Sequence, residues 1–231
     1  MPLSVQDISA LPTASRYTFL AALLQVAGSR TVLELGVWKG ELAAHLLSSL
    51  SQIERYYLLD PWRNLENWDK PFNLDDQAFE GVYNQALQAT QFAEPRRHIL
   101  RGTTAEVIHQ IPDQTLDAAY IDGDHTLRGI TIDLMAVWPK VKTGGLVICD
   151  DFTPSPWQHG REYEPSLVFP YALHFAEAVD ATAVAPGLNQ CVLIKGQGGY
   201  AFHDLTGLYG NQTLLTLRGR SFWKRLSGKR T

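Results

Sequence analysis

Two acidic blocks carry the strongest chemical signal in this chain, Tyr120-Ile121-Asp122-Gly123-Asp124-His125 and Cys149-Asp150-Asp151-Phe152. Each block ends an apolar run that reads as a buried strand, so each presents its carboxylates at a strand's carboxyl end. Neighbouring strands lie about 4.8 Å apart, which lets Asp122, Asp150 and Asp151 converge on one cation. Oxygen-only ligands favour a hard ion, magnesium first, with calcium or manganese behind it. Without a cation or a proton the three acids would repel one another. A metal there would draw a hydroxyl into coordination, lower its pKa and fix its oxygen for attack. His125 adds an imidazole at the same place. At the start of a helix its neutral, proton-accepting form is favoured, so His125 is one candidate base and Asp122 the other, with a purely structural or capping histidine as the remaining reading. The metal-free alternative has Asp124 capping the following helix and Asp150-Asp151 capping a loop.

A second constellation lies earlier. Thr31 to Leu35 reads as a short buried strand that runs into Glu34-Leu35-Gly36-Val37-Trp38-Lys39-Gly40, and helical periodicity resumes over Leu42 to Leu50. Strand, glycine loop and helix in that order open a nucleotide-binding crossover unit. Gly36 allows close approach of backbone to a ligand. The next strand, Arg55 to Leu59, ends at Asp60-Pro61, and a carboxylate at that position can accept hydrogen bonds from both hydroxyls of a ribose. Together these select an adenosine-bearing ligand. The nicotinamide fingerprint G-x-G-x-x-G is broken, because Trp38 stands where its second glycine would be.

These residues need a scaffold that brings strand ends to one edge. Further strands are expected at His98 to Arg101, Leu116 to Ile121 and Leu146 to Cys149, and helices at Tyr17 to Val26 and Ile130 to Val137, the latter closed by Pro139 and Gly144-Gly145. The segment Trp62 to Pro95 reads as irregular and then helical. Beyond it come a helix over Leu167 to Val179 and strands over Ala181 to Ala185 and Cys191 to Lys195, joined so tightly that they must pair antiparallel. The implied fold is α/β: a doubly wound, mostly parallel, seven-stranded sheet ending in an antiparallel hairpin. Residues 1–196 form the catalytic domain in this reading, and 197–231 a C-terminal extension.

Composition narrows the class. The chain has 231 residues, 45% of them hydrophobic and 19% charged, enough for one large domain with its own core. Cys149 and Cys191 both sit in apolar runs, so no disulfide framework is expected, and a reducing cytoplasm is the natural compartment. No secretory signal or membrane span is legible, and Asn211-Gln212-Thr213 has no significance as a glycosylation acceptor without export. Net charge is −4, yet Arg218, Arg220, Lys224, Arg225, Lys229 and Arg230 lie together at the end, leaving −10 on the rest. An acidic body argues against nucleic acid as a partner. The basic tail, with Phe222 and Trp223, could touch an anionic membrane or an acidic chain, or simply be solvated or pack on a second copy in a homo-oligomer.

The residues Glu34 to Gly40 resemble the first motif of class I S-adenosylmethionine-dependent methyltransferases, and Asp60 matches their ribose-binding acid. The form E-x-G-V-W-x-G is similar to that of macrolide-sugar O-methyltransferases of the macrocin and mycinamicin kind. Asp122, Asp150 and Asp151 match the metal-binding acids of those enzymes and of catechol-type O-methyltransferases, most specifically in D-G-D-H and G-G-L-V-I-C-D-D. The resemblance runs from about Thr31 to Phe152. It implies S-adenosylmethionine held by Glu34, Gly36, Val37, Gly40, Asp60 and Asp122, with Gly102, Thr103 and Thr104 near the adenine. It also implies magnesium on Asp122, Asp150 and Asp151, and His125 or Asp122 as base for O-methylation of a small-molecule hydroxyl. Trp62, Trp68 and Phe72 could form a lid stacking on a ring, with Trp157, His159 and Tyr163 as the facing wall. A metal-free N- or C-methyltransferase and a catalytically silent S-adenosylmethionine-binding scaffold are the alternatives.

Overall fold

Residues 31–35 belong to a sheet covered on both faces: Val32 packs on one side and Leu33 and Leu35 on the other, all buried. Burial on both faces is why the run is almost uniformly apolar instead of alternating. The computed structural model describes residues 3–196 and 198–210. In chain order its principal elements are α1 (Val5–Ser9), α2 (Arg16–Val26), β1 (Thr31–Leu35), α3 (Glu41–Ser49), β2 (Arg55–Asp60), α4 (Asp76–Ala89), β3 (Arg97–Arg101), α5 (Thr104–Val107), β4 (Leu116–Ile121), α6 (Leu127–Val137), β5 (Val141–Cys149), α7 (Val168–Ala178), β6 (Thr182–Gly187), β7 (Gln190–Ile194) and β8 (Ala201–Asp204).

Among the described residues the strands form an eight-stranded sheet in the order β3-β2-β1-β4-β5-β7-β6-β8. The first five positions are parallel, and β7 runs antiparallel to both β5 and β6. This is the expected doubly wound sheet with its hairpin, plus one strand. The addition, β8, pairs parallel with β6 and comes from the stretch read as an extension. Tyr209 beyond it is buried, and its hydroxyl donates to the Phe152 carbonyl, tying this segment to the core. The basic tail and Asn211 lie outside the described residues.

One face of the sheet carries α1 to α4 through Ile8, Phe19, Leu46 and Val82, and the other carries α5 to α7 through Val107, Leu134 and Ala172. The chain winds outward from β1 to β2 and β3, then returns to β4 on the opposite side of β1. That reversal opens a crevice outside the carboxyl ends of β1 and β4, where ligands of such sheets bind. The lip is rigid because the ladder continues one residue past several strands. Gly36 donates its N–H to Leu59 O at 2.9 Å, Asp122 to Leu35 O at 2.8 Å, Asp150 to Ile121 O at 2.9 Å and Gly102 to Asp60 O at 3.0 Å.

β5 departs from expectation by starting at Val141, so Gly144 and Gly145 lie inside a strand instead of closing a helix. Gly144 has φ +82°, and a Cβ on Gly145 would meet Asp117 O at 2.8 Å. The glycines thus serve an irregularity in the β4–β5 pairing, where the register shifts between Leu116 and Ala118. Cys149 and Cys191 face each other across β5 and β7 as buried free thiols. No helix among the described residues is long and apolar enough to cross a membrane.

Candidate active site

Gly36 leaves β1 with φ +84°, and a Cβ there would lie 1.9 Å from the Asp122 carbonyl oxygen. Only glycine lets the first loop lie against the end of β4 this closely. Trp38, which stands where the nicotinamide fingerprint has its second glycine, keeps a left-handed φ of 54°. A side chain pays about 1–2 kcal/mol there, offset by contacts that fix the residue: its N–H donates to Asp60 Oδ2 at 3.0 Å, and its carbonyl accepts from Trp62 Nε1 at 2.8 Å. Gly40 (φ +76°) ends the loop as the N-cap of α3.

Asp60 is buried and organises this loop. Oδ2 accepts from the N–H groups of Val37 (2.9 Å) and Trp38, and Oδ1 from that of Trp62 (2.8 Å). Burial pushes its pKa up, while these three donors hold it down. A carboxylate offers about four acceptor sites. With three taken by backbone, one remains for a ribose hydroxyl, where the sequence reading had two. Glu34 is also buried; its carboxylate accepts from Tyr56 Oη at 2.5 Å, and burial raises its pKa to about 8. Thr103 and Thr104 line the cavity, but their hydroxyls are engaged, with Glu106 at 2.9 Å and Asp133 at 2.6 Å. Gly102 lies beside them, outside the lining.

The acidic residues do meet at the lip, and what they meet is a cation from the chain itself. Arg16, the first residue of α2, places Nη1 3.3 Å from Asp122 Oδ2 and in contact with Asp150 Oδ2. Asp150 is buried, and its other oxygen accepts from the buried amide of Gln190. Asp151 turns elsewhere, its Oδ2 lying 2.6 Å from His125 Nδ1. His125 Nε2 lies 3.4 Å from Asp122 Oδ1, too poorly aligned to count as a hydrogen bond. Among the described residues no group of three or more His, Cys, Asp or Glu side chains is arranged to hold a metal ion. The expected magnesium ligands therefore do not fit a divalent ion as they stand: two share a guanidinium and the third is paired with imidazole.

His125 is correspondingly not the neutral imidazole expected from a helix dipole. Burial would lower its pKa, but Asp122 and Asp151 on either side outweigh that and raise it to about 10. Burial, with Asp150 nearby, pushes the Asp122 carboxyl up, and the His125 contact holds Asp151 down against burial.

All of this opens into a cavity of about 800 Å³ that includes Arg16, Gly36, Asp60, Asp122, His125 and Asp151. Its outer wall holds Trp68 and Phe72, and Phe72 meets the His159 ring edge-on at 5.6 Å. Trp68 Nε1 donates to Asp124 Oδ1 at 3.2 Å, and Asp124 also accepts from the Thr126 N–H at 3.0 Å; the cap of α6 is Thr126, whose hydroxyl accepts from the Gly129 N–H at 3.1 Å, and not Asp124 as the metal-free alternative expects. Trp62 is no lid residue, being fully buried against Tyr83. Trp157 and Tyr163 do not line the cavity. Arg16 and Gln190 escaped the sequence reading altogether. The one available signal was electrostatic: three converging acids demand positive charge, and Arg16 opens a helix just before β1.

A family model described as a methyltransferase domain matches residues 33–152, more than half of the chain. No curated protein matches the sequence. Among solved structures, a Staphylococcus aureus protein assigned as a caffeoyl-CoA O-methyltransferase aligns with TM-score 0.59 at 18% identity, covering 82% of this chain and 88% of that one. An O-methyltransferase from Bacillus cereus in complex with SAH aligns with TM-score 0.54 at 19% identity, covering 84% and 82%. The O-methyltransferase NovP aligns with TM-score 0.54 at 15% identity, covering 77% and 76%. At these identities the likeness is one of fold.

Proposed function

The chain belongs to the methyltransferase-domain family, and on that premise we propose that it is an S-adenosylmethionine-dependent methyltransferase acting on the hydroxyl of a small molecule such as a sugar, a phenol or a polyketide-like alcohol. One observation carries the reading: a single cavity joins the Gly36 loop and Asp60 to Asp122, His125 and Asp151. A cofactor half and a proton-handling half thus share one space.

Bound S-adenosylmethionine supplies an electrophilic methyl group; the acceptor oxygen forms a C–O bond to it as the C–S bond breaks. Asp60 contributes its one free acceptor site to a ribose hydroxyl, and the close-packed Gly36 loop lets the ligand approach the backbone. Asp122 receives the acceptor's proton, beside the positively charged His125. Asp151 holds the Nδ1 side of His125, leaving Nε2 toward Asp122, so the imidazolium is fixed beside the carboxylate that takes the proton. Trp68, Phe72 and His159 form a wall that suits a ring. Oxygen as the acceptor atom is supported by the O-methyltransferases that share the fold. Magnesium, implied by the resemblance, has no place in this reading, because its carboxylates are already engaged by Arg16 and His125.

The test is incubation with trideuteromethyl-labelled S-adenosylmethionine and a panel of sugars, phenols and polyketide-like alcohols in the presence of chelator, followed by mass spectrometry and NMR of the products. Label on oxygen is expected. Label on nitrogen or carbon, or cofactor binding with no transfer to any hydroxyl, would contradict the reading.

A further inference from the structure

We propose that Arg16 is a resident cation that takes the place of a divalent metal between Asp122 and Asp150. The inference deepens the reading above by assigning how that site balances its charge. It stands on three independent features of the fold.

The first is position. Arg16 opens α2, whose start is fixed by Ser15: its Oγ accepts from the Thr18 N–H at 3.2 Å, and its own N–H donates to Thr18 Oγ1 at 3.1 Å. The guanidinium is thus delivered to the lip by a capped helix rather than by a free loop. There its Nη1 bridges carboxylates from β4 and β5, the two adjacent strand ends whose acids would otherwise converge on an ion.

The second is that both oxygens of Asp150 are engaged. Its Oδ2 pairs with Arg16 and its Oδ1 with Gln190, and the Gln190 amide is itself anchored by Leu188 O at 3.2 Å. Gln190 is fully buried at the start of β7. A magnesium ion needs oxygens at about 2.0–2.1 Å in near-octahedral array. A guanidinium nitrogen between the same two carboxylates fills that volume, and it cannot leave by losing a proton.

The third is charge. Asp122, Asp150 and Asp151 are faced by Arg16 and His125, which brings three negative groups against two basic ones. Repulsion among the acids, the physical reason for invoking a metal, is thereby largely met from within the chain.

Manganese, a spectroscopic stand-in for magnesium, tests the assignment through its EPR signal. The purified 231-residue chain should bind no stoichiometric Mn²⁺. Arg16→Ala should gain one site, Arg16→Ala combined with Asp150→Asn should lose it again, and Arg16→Lys should stay as free of Mn²⁺ as wild type. Thermal melting confirms that each variant is folded. Stoichiometric Mn²⁺ on wild type that disappears in Asp150→Asn would overturn the proposal. So would a folded Arg16→Ala that takes up no ion, since Arg16 would then not be occupying a latent metal position. Calorimetric titration with S-adenosylhomocysteine keeps the two ideas apart: loss of cofactor binding by wild type would defeat the methyltransferase reading and leave the Mn²⁺ outcome standing on its own.

Discussion

Replacing Gly36 with alanine probes the joint on which the site depends. Two costs can be separated. The residue has φ +84°, a left-handed conformation that costs a side chain about 1–2 kcal/mol. The added Cβ would also lie 1.9 Å from the carbonyl oxygen and 2.4 Å from the carbonyl carbon of Asp122. Both are backbone atoms of a buried parallel strand end, pinned by the Asp122 N–H to Leu35 O bond, so no flexible side chain can absorb the contact. Forcing the loop and strand apart by about 1 Å adds about 1–3 kcal/mol of overpacking. The sum, about 2–5 kcal/mol, should lower Tm by about 4–20 °C for a domain of this size. Gly28→Ala is the control, because Gly28 has φ +63° with nothing within 4 Å of an added Cβ. It should show only the conformational cost, about 1–2 kcal/mol. Differential scanning fluorimetry reads both. Equal losses for the two variants would refute the close packing of Gly36 on Asp122, and with it the geometry that joins the two halves of the cavity.

Asp60→Asn should cost about 1–3 kcal/mol and weaken S-adenosylhomocysteine binding by calorimetry, because the amide can keep acceptors for Val37 and Trp38 or for Trp62, not for all three; an unchanged Tm would contradict this. His125→Gln should lower kcat by about 10²–10⁴-fold with cofactor affinity unchanged; loss of affinity alone would reassign the residue. Asp133 is fully enclosed, bonded to Thr104, and raised by burial from 3.8 to about 7. A carboxyl raised on folding favours the native state below its unfolded pKa, and that contribution is lost as pH climbs through the folded value. Wild-type stability should therefore fall by a few kcal/mol between about pH 4 and 7, and Asp133→Asn should flatten that slope, which melting across pH would show.

What could be read without coordinates were features of local period and of residues at strand ends. β1 and β4 are found with the bounds expected of them, since a short, mostly apolar run that ends at a glycine loop or an acidic block leaves little choice. The convergence of Asp122 and Asp150 followed from strand adjacency. What stayed hidden was non-local or context-dependent. Nothing in the spacing links Arg16 to acids on β4 and β5. Gly144 and Gly145 read as breakers, yet they serve a register shift inside β5. β8 is four residues long and half exposed at the sheet edge, too short for alternation to register. Trp62, read as a lid, carries a buried N–H that the Trp38 carbonyl satisfies; only the fold reveals that partner.

The most direct measurement is a crystal structure of the complex with S-adenosylhomocysteine. The expected result has the ribose at Asp60, the adenine beside Thr103 and Thr104, and the sulfur facing His125 and Asp122 across the cavity. A ligand seated elsewhere, or one whose sulfur points away from that pair, would contradict methyl transfer at this lip.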